Sequence, residues 1–215
     1  MLSNEELNAM QVERVTRADA DQVIDVLCES FRDYPVMRFV LGDEGDYGVR
    51  LGRMIGLFVA SRTLLDDVIF GIRDDGELVA VATTSNPARP AHPDFAALRE
   101  AVWQELGTAS AERYQKCVDA WESMATDVPQ LHVNMIGVRR VYQTLRLGTR
   151  LLDAVHALAE MTPGCEGVTL TTEEPRNVRF YQNRGYRVIG NARISGELEA
   201  WSFLREIRDD QNRTS

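Results

Sequence analysis

Residues 131–153 read LHVNMIGVRRVYQTLRLGTRLLD, and the fold turns on how this stretch divides. Leu131, Val133 and Met135 alternate with His132, Asn134 and Ile136, the period of two that a pleated strand imposes on its faces. Leu147, Leu151, Val155 and Leu158 then recur every three or four residues and line one stripe of a helix. Between strand and helix lies a polar, basic connection from Val138 to Thr149, carrying Arg139, Arg140 and Arg146. The first N–H groups of a helix lack intrahelical partners, and the helix dipole adds partial positive charge at that end. Strand, cationic loop and helix N-terminus in this order suit a phosphorylated ligand. They equally suit an ordinary strand–helix unit with a solvated loop, and the local pattern leaves both open.

Upstream, Val12–Thr16 is expected as a first strand. Ala18–Arg32 follows as an amphipathic helix with Asp19 as its N-cap and Val23, Val26, Leu27, Ser30 and Phe31 facing inward. Tyr34-Pro35 breaks this helix, and Pro35 starts a shorter one that runs to Val40. A third helix is predicted from Asp46 to Leu65. Val68–Arg73 and Glu77–Thr84 read as strands joined by Asp74-Asp75-Gly76, whose turn needs positive φ. After the proline-rich loop NPARPAHP (86–93), a helical pattern spans 94–126 and breaks at Gly107. Its stripe of Tyr114, Cys117 or Val118, Trp121 and Met124 or Ala125 reads first as core and second as the roof of a ligand pocket. Downstream, Val168–Thr172, Tyr186–Asn191 and Ala200–Glu206 are strands, and Pro175 opens a helix that closes at Gly185. The polar tail 209–215 is expected to fray.

The 215 residues suffice for a sizeable core in one domain, 1–215. Hydrophobic content of 44% and charged content of 27% are those of a soluble globular chain. A net charge of -9 argues against a nucleic-acid partner, because phosphate contacts need a basic face. Cys28, Cys117 and Cys165 form no metal-ligand pattern, no metal is expected, and an odd number fits poorly with a disulfide framework. The start, MLSNEELNAM, lacks an apolar signal core, and no apolar run approaches the about 20 residues that span a bilayer. A cytoplasmic protein without membrane attachment is expected.

Two segments carry a resemblance. Gln143-Thr144-Leu145-Arg146-Leu147-Gly148-Thr149 resembles the Q/R-x-x-G-x-G/A loop of the GNAT N-acetyltransferases, with Arg146 where the family usually has its first glycine. EEPRNVRFYQNRGYRVIG (173–190) resembles the family's later helix and strand, a tyrosine followed by Gly-Phe or Gly-Tyr. Pro175-Arg176-Asn177, Phe180-Tyr181 and the earlier FRDYPVMRFVL (31–41) are similar to the branch that includes puromycin N-acetyltransferase. The resemblance implies an α/β (α+β) fold: a mixed, mostly antiparallel sheet splayed between its fourth and fifth strands and flanked by helices. The seven segments that read as strands supply that sheet, with 94–126 as a helical insert between the third and fourth.

It also implies an acetyl-coenzyme A-dependent N-acetyltransferase acting on a small-molecule amine by direct attack in a ternary complex, with a homodimer as an open possibility. Residues 143–149 would hold the pyrophosphate. Ile136, Gly137 and Val138 would pair with the pantetheine arm, joined by Asn177, Phe180 and Tyr181. Phe31, Asp33, Tyr34 and Asn134 are the candidate acceptor contacts. Tyr181 is the candidate general acid, because a phenol with a pKa near ~10 stays protonated at neutral pH and can protonate a departing thiolate. The base lies between His132, whose ordinary pKa suits the task, and Glu173 at the mouth of the next strand. Two rivals stand beside this. Arg146, and Thr171 where the puromycin branch usually has glutamate, favour a non-catalytic GNAT-like module that binds coenzyme A derivatives or a partner protein. A nucleotide-binding or sugar-phosphate-binding domain is weakened by the lack of GxGxxG and GxxxxGK[ST].

Overall fold

Seven strands pair into one sheet: β1 (Val12–Arg14), β2 (Ile69–Asp74), β3 (Glu77–Ser85), β4 (Gln130–Val138), β5 (Gly167–Thr172), β6 (Arg187–Ser195) and β7 (Leu198–Glu206). The structure is a computed structural model and describes residues 10–43 and 45–207, so the start of the chain and the tail expected to fray lie outside it. The strand order is β1-β2-β3-β4-β5-β7-β6, and every neighbouring pair is antiparallel except β4–β5. Seven α-helices flank the sheet: α1 (Ala20–Phe31), α2 (Pro35–Leu41), α3 (Tyr47–Leu64), α4 (Phe95–Leu106), α5 (Thr108–Glu122), α6 (Leu147–Met161) and α7 (Pro175–Gln182). None is long and apolar enough to cross a membrane.

The apolar stripes divide the helices between the two faces. Val23, Val26 and Leu27 of α1, Leu51, Ile55 and Val59 of α3 and Cys117 of α5 join Met135 in one buried cluster. Leu147, Leu151, Leu152 and Val155 of α6 join Leu131, Val133, Leu170 and Phe203 in the other. Local chemistry sets the element ends. Pro35 and Pro175 sit in the first turns of α2 and α7, where a missing N–H costs nothing. Asp46 caps α3 by accepting from the N–H groups of Gly48 and Val49. Asp75 and Gly76 take φ of 53° and 84°, as the tight β2–β3 hairpin requires.

Three expectations need correction. Asp19 does not cap α1 through its side chain: its carboxylate turns back to accept from the N–H and hydroxyl of Thr16 across a single 3₁₀ turn. The last two strands are longer than their apolar alternation suggests and pair as far as Ser195↔Leu198, around a turn in which Gly196 has φ 53°. The alternation in β4 also does not run through. Thr83 faces Met135 but Thr84 faces Val133, so Asn134 is an extra residue, a β-bulge. The bulge flips the faces. Leu131 and Val133 enter the α6-side cluster, whereas Met135 enters the α1-side cluster.

Pairing of β4 with β5 ends at Val133↔Leu170, so beyond the bulge β4 keeps only β3 as a partner. α1 lies directly on this part of β4. A Cβ at Gly137 would stand 2.9 Å from Ser30 Oγ and 3.0 Å from Leu27 Cδ2. Gly137→Val is therefore expected to lower the unfolding free energy by about 1–3 kcal/mol, read as a lower urea midpoint at unchanged m-value.

Candidate active site

Where β4 leaves β5, a cleft of about 1230 Å³ opens. Phe31, Asp33 and Tyr34 reach it from the break between α1 and α2. His132, Asn134, Ile136 and Val138 line it from β4, and Glu173, Asn177, Phe180 and Tyr181 from the β5–α7 side. The inserted helices add Trp103, Tyr114 and Trp121. The stripe on α5 and just past it thus serves both: Cys117 and Ala120 are core only, whereas Tyr114, Trp121 and Met124 pack on the core and also line the cleft, with Val118 and Ala125 beside them.

Glu173 is the most constrained group there. Its side chain is 5% exposed, and its Oε1 accepts a 2.8 Å hydrogen bond from Trp121 Nε1. Its backbone N–H donates to the Tyr34 hydroxyl at 3.0 Å, and that hydroxyl is 2.9 Å from Thr172 Oγ1. Asn177 Nδ2 donates to the same Thr172 oxygen at 3.1 Å. The cleft thus ties the α1–α2 break, β5, α7 and the insert into one network. Burial pushes the Glu173 carboxyl above its ordinary value, and hydrogen bonds from Trp121 and Tyr34 pull part of the way back. Glu174 does different work: its carboxylate caps α7 by accepting from the Arg176 N–H.

His132 bonds through Nδ1 to Thr169 Oγ1 at 2.9 Å. Burial, with Arg62 nearby, pushes it down to about 4, so the imidazole is neutral at physiological pH. The ordinary pKa that recommended it as a base is not the one it has here. Tyr181 packs on Phe203 and Tyr186 at centroid distances of 5.5 and 5.8 Å. Its hydroxyl makes no hydrogen bond among the described residues. Burial, reinforced by the charge of Glu173, pushes that phenol up to about 12. Phe180 turns outward under the Arg184 guanidinium, 3.6 Å from its ring centroid.

The cationic loop is less open than its sequence suggests. Arg139 is turned away: Nη1 donates to Glu29 at 2.8 Å and Nε to the Leu78 carbonyl at 2.9 Å. Arg140 is exposed, with its guanidinium 3.8 Å from Asp33, a carboxylate that also holds Arg38 at 2.7 Å. Gln143 lines the cleft and donates to the Val138 carbonyl. Gly137 lies under α1, while Thr144, Leu145, Leu147, Gly148 and Thr149 form the end of a 3₁₀ turn and the start of α6 without lining the cleft. Leu147 is fully buried. Arg146 joins turn to helix with φ 58°, so this position does require a left-handed backbone, and its side chain is exposed. Arg184 was not foreseen: it reaches from the end of α7 to Thr149 in the first turn of α6, Nη2 to Oγ1 at 2.6 Å. The 15-residue α6 with Arg146 and Arg184 at its start fits an anionic diphosphate. The β4 backbone past Val133 fits an extended amide chain.

A model of the Acetyltransferase (GNAT) family matches residues 42–186. The chain is 27% identical over 166 residues to a probable serine/threonine-protein kinase of Dictyostelium discoideum, a match covering 68% of this chain and 18% of that protein. The chain therefore spans less than a fifth of that relative's length. Among solved structures, a histone acetyltransferase-related acetyltransferase of Corynebacterium glutamicum superposes with a TM-score of 0.67 at 20% identity, covering 94% of this chain and 98% of that one. The polyamine N-acetyltransferase of Drosophila melanogaster superposes with a TM-score of 0.62 at 17% identity, covering 92% and 100%.

His132 and Glu173 act on stability in opposite directions. His132 has a folded value of about 4 against an ordinary 6.5, so protonation favours the unfolded chain. Its contribution is complete above 6.5 and is lost as pH falls toward 4. His156, bonded to the Tyr186 hydroxyl and also pushed down to about 4, acts in the same sense. Glu173 is raised above 4.5, so it lowers stability increasingly as pH rises above that value. Urea titrations are expected to show His132→Asn flattening part of the wild-type loss between pH 6.5 and 4. Glu173→Gln is expected to be more stable than wild type at pH 8 but not at pH 4.

Proposed function

The chain belongs to the GNAT acetyltransferase family, and from that membership and its cleft we propose that it transfers an acetyl group from acetyl-coenzyme A to a primary amine of a small molecule, by direct attack in a ternary complex. The observation that carries this is the meeting of a buried carboxylate, Glu173, with a phenol that has no hydrogen bond among the described residues, Tyr181, where β4 parts from β5. Acetyl-coenzyme A, when bound, supplies the activated acyl group as a thioester. The start of α6, with Gln143, Arg146 and Arg184, holds its diphosphate. Ile136 and Val138, with Asn177 on the opposite wall, hold its amide arm. A free β4 N–H is the donor for the oxyanion.

Glu173 takes a proton from the incoming ammonium. Its raised pKa narrows the gap to an amine, and the Trp121 hydrogen bond fixes where the proton lands. The nitrogen sheds two protons in becoming an amide. Glu173 accepts one, and the other replaces the proton that Tyr181 gives to the departing sulfur. The high pKa of the phenol keeps it protonated, hence a donor, throughout the working range. His132 stays neutral and orients groups through hydrogen bonds.

Calorimetry with coenzyme A and release of free coenzyme A across an amine panel test this directly. Micromolar to millimolar binding is expected, and no binding to the folded protein at millimolar ligand would overturn the assignment. Binding without turnover of any amine would mark a non-catalytic module instead. Tyr181→Phe and Glu173→Gln are each expected to keep coenzyme A affinity while turnover falls by roughly 10²-fold or more. Unchanged rates with chemistry rate-limiting would leave Tyr181 as packing.

A further inference from the structure

If the cleft is an acetyltransferase site, its walls also discriminate between amines. Trp121 holds Glu173, Tyr114 stands edge-on to Trp121 with centroids 5.9 Å apart, and Trp103 and Phe58 lie 4.6 and 5.9 Å from Tyr114. These four rings line the cleft as one wall leading away from the carboxylate. Beyond the wall the sign of the charge changes. Arg62, Arg89 and Arg99 all line the cleft. Arg62 and Arg89 share one carboxylate, Asp67, at 3.0 and 3.2 Å. Arg99 makes no hydrogen bond or ion pair among the described residues. Asp66 beside Asp67, Asp94 and Glu100 near Arg99 on α4, and Glu122 in the cleft lining are exposed to solvent. The charges of Arg62 and Arg99 are felt at the Tyr114 hydroxyl, and the Trp121 ring stands between Tyr114 and Glu173, in contact with both.

We propose that the acceptor is a primary monoamine built on an aromatic ring with an acidic far end: ammonium at Glu173, ring against Tyr114 and Trp121, acid at Arg99. Apolar rings offer a flat aryl body both stacking and edge contacts. A polyamine or a guanidino-amine fits poorly, because its second cation would lie beside Arg62, Arg89 and Arg99, only two of which share the Asp67 carboxylate. The aromatic stripe of α5 and Arg99 of α4, both in the helical insert, thereby serve one ligand.

The test measures kcat/KM by coenzyme A release for a phenylethylamine carrying a para-carboxylate, the same amine with a para-carboxamide, agmatine and spermidine. The carboxylate is expected to exceed the carboxamide by about fivefold or more, and both to exceed agmatine and spermidine by about tenfold or more. In Arg99→Glu, on an exposed helix face, the carboxylate-to-carboxamide ratio is expected to fall by about tenfold or more, with Arg99→Gln intermediate. A wild-type preference for agmatine or spermidine, or a ratio unchanged in Arg99→Glu, overturns the inference while leaving the acetyltransferase assignment intact. Should no amine turn over, saturation-transfer NMR of the carboxylate amine with coenzyme A present decides separately. Binding lost in Arg99→Glu supports this acceptor class even as transfer fails, and no binding overturns it.

Discussion

Beyond Val133 the backbone of β4 loses its parallel neighbour, and the functional layout of the molecule depends on that parting. A strand edge in a protein interior leaves N–H and C=O groups that must find partners. The bulge at Asn134 is what makes the parting abrupt, because the extra residue bends and twists β4 just as β5 turns toward Glu173. β5 stays paired to β7 through Thr172, so its departure from β4 is a change of neighbour rather than a loss of order. An edge held open by rigid strands on both sides is already shaped before any ligand arrives, so an extended chain pairing with it would find the strand in place.

The same parting sorts the titratable groups. Below it, where β4 and β5 still touch, His132 is enclosed between strand neighbours with an arginine nearby, and burial favours the neutral imidazole. At the opening, Glu173 is equally dry but has an indole N–H and the Tyr34 hydroxyl around it, and burial favours the neutral acid. Desolvation has one sign for both, always against charge, yet it lowers the pKa of the imidazole and raises that of the carboxyl. The intrinsic pKa of a side chain is therefore a poor guide to its protonation state at this cleft. Thr171 also lines the cleft, two positions before Glu173.

What could be read from the sequence was what is encoded within a turn or two. The strand–loop–helix from 131 to 158, the Asp-Asp-Gly hairpin, the proline starts of α2 and α7 and the placement of Tyr181 all depend on neighbours in the chain. What could not be read depends on distant partners. The bulge at Asn134 exists only in register with Thr83 and Thr84 of another strand. Arg139 looked like a phosphate ligand until Glu29, 110 residues away, claimed it. The Trp121–Glu173 bond joins residues 52 apart, and the Tyr34–Thr172 contact joins residues 138 apart. A periodic stripe such as that on α5 shows which residues share a face, but not that half of the face is a wall of the cleft.

Arg146 shows how a local rule and a tertiary one settle at a single residue. Its φ of 58° is the conformation for which a glycine would be chosen, and a side chain there costs about 1–2 kcal/mol. The cost is borne because the residues on either side leave no alternative. Leu145 packs against the α6-side core, and Leu147 is buried completely within it as α6 begins. With both leucines anchored, the backbone between them must turn left-handed whatever residue stands there. The loop thus keeps its shape without its glycine, and the substitution adds an exposed guanidinium at the positive end of a helix. Placing a cation there raises the electrostatic energy of the empty loop, and a bound anion relieves it. An arginine at this position therefore adds to the positive potential of the helix end, at some expense to the unliganded fold.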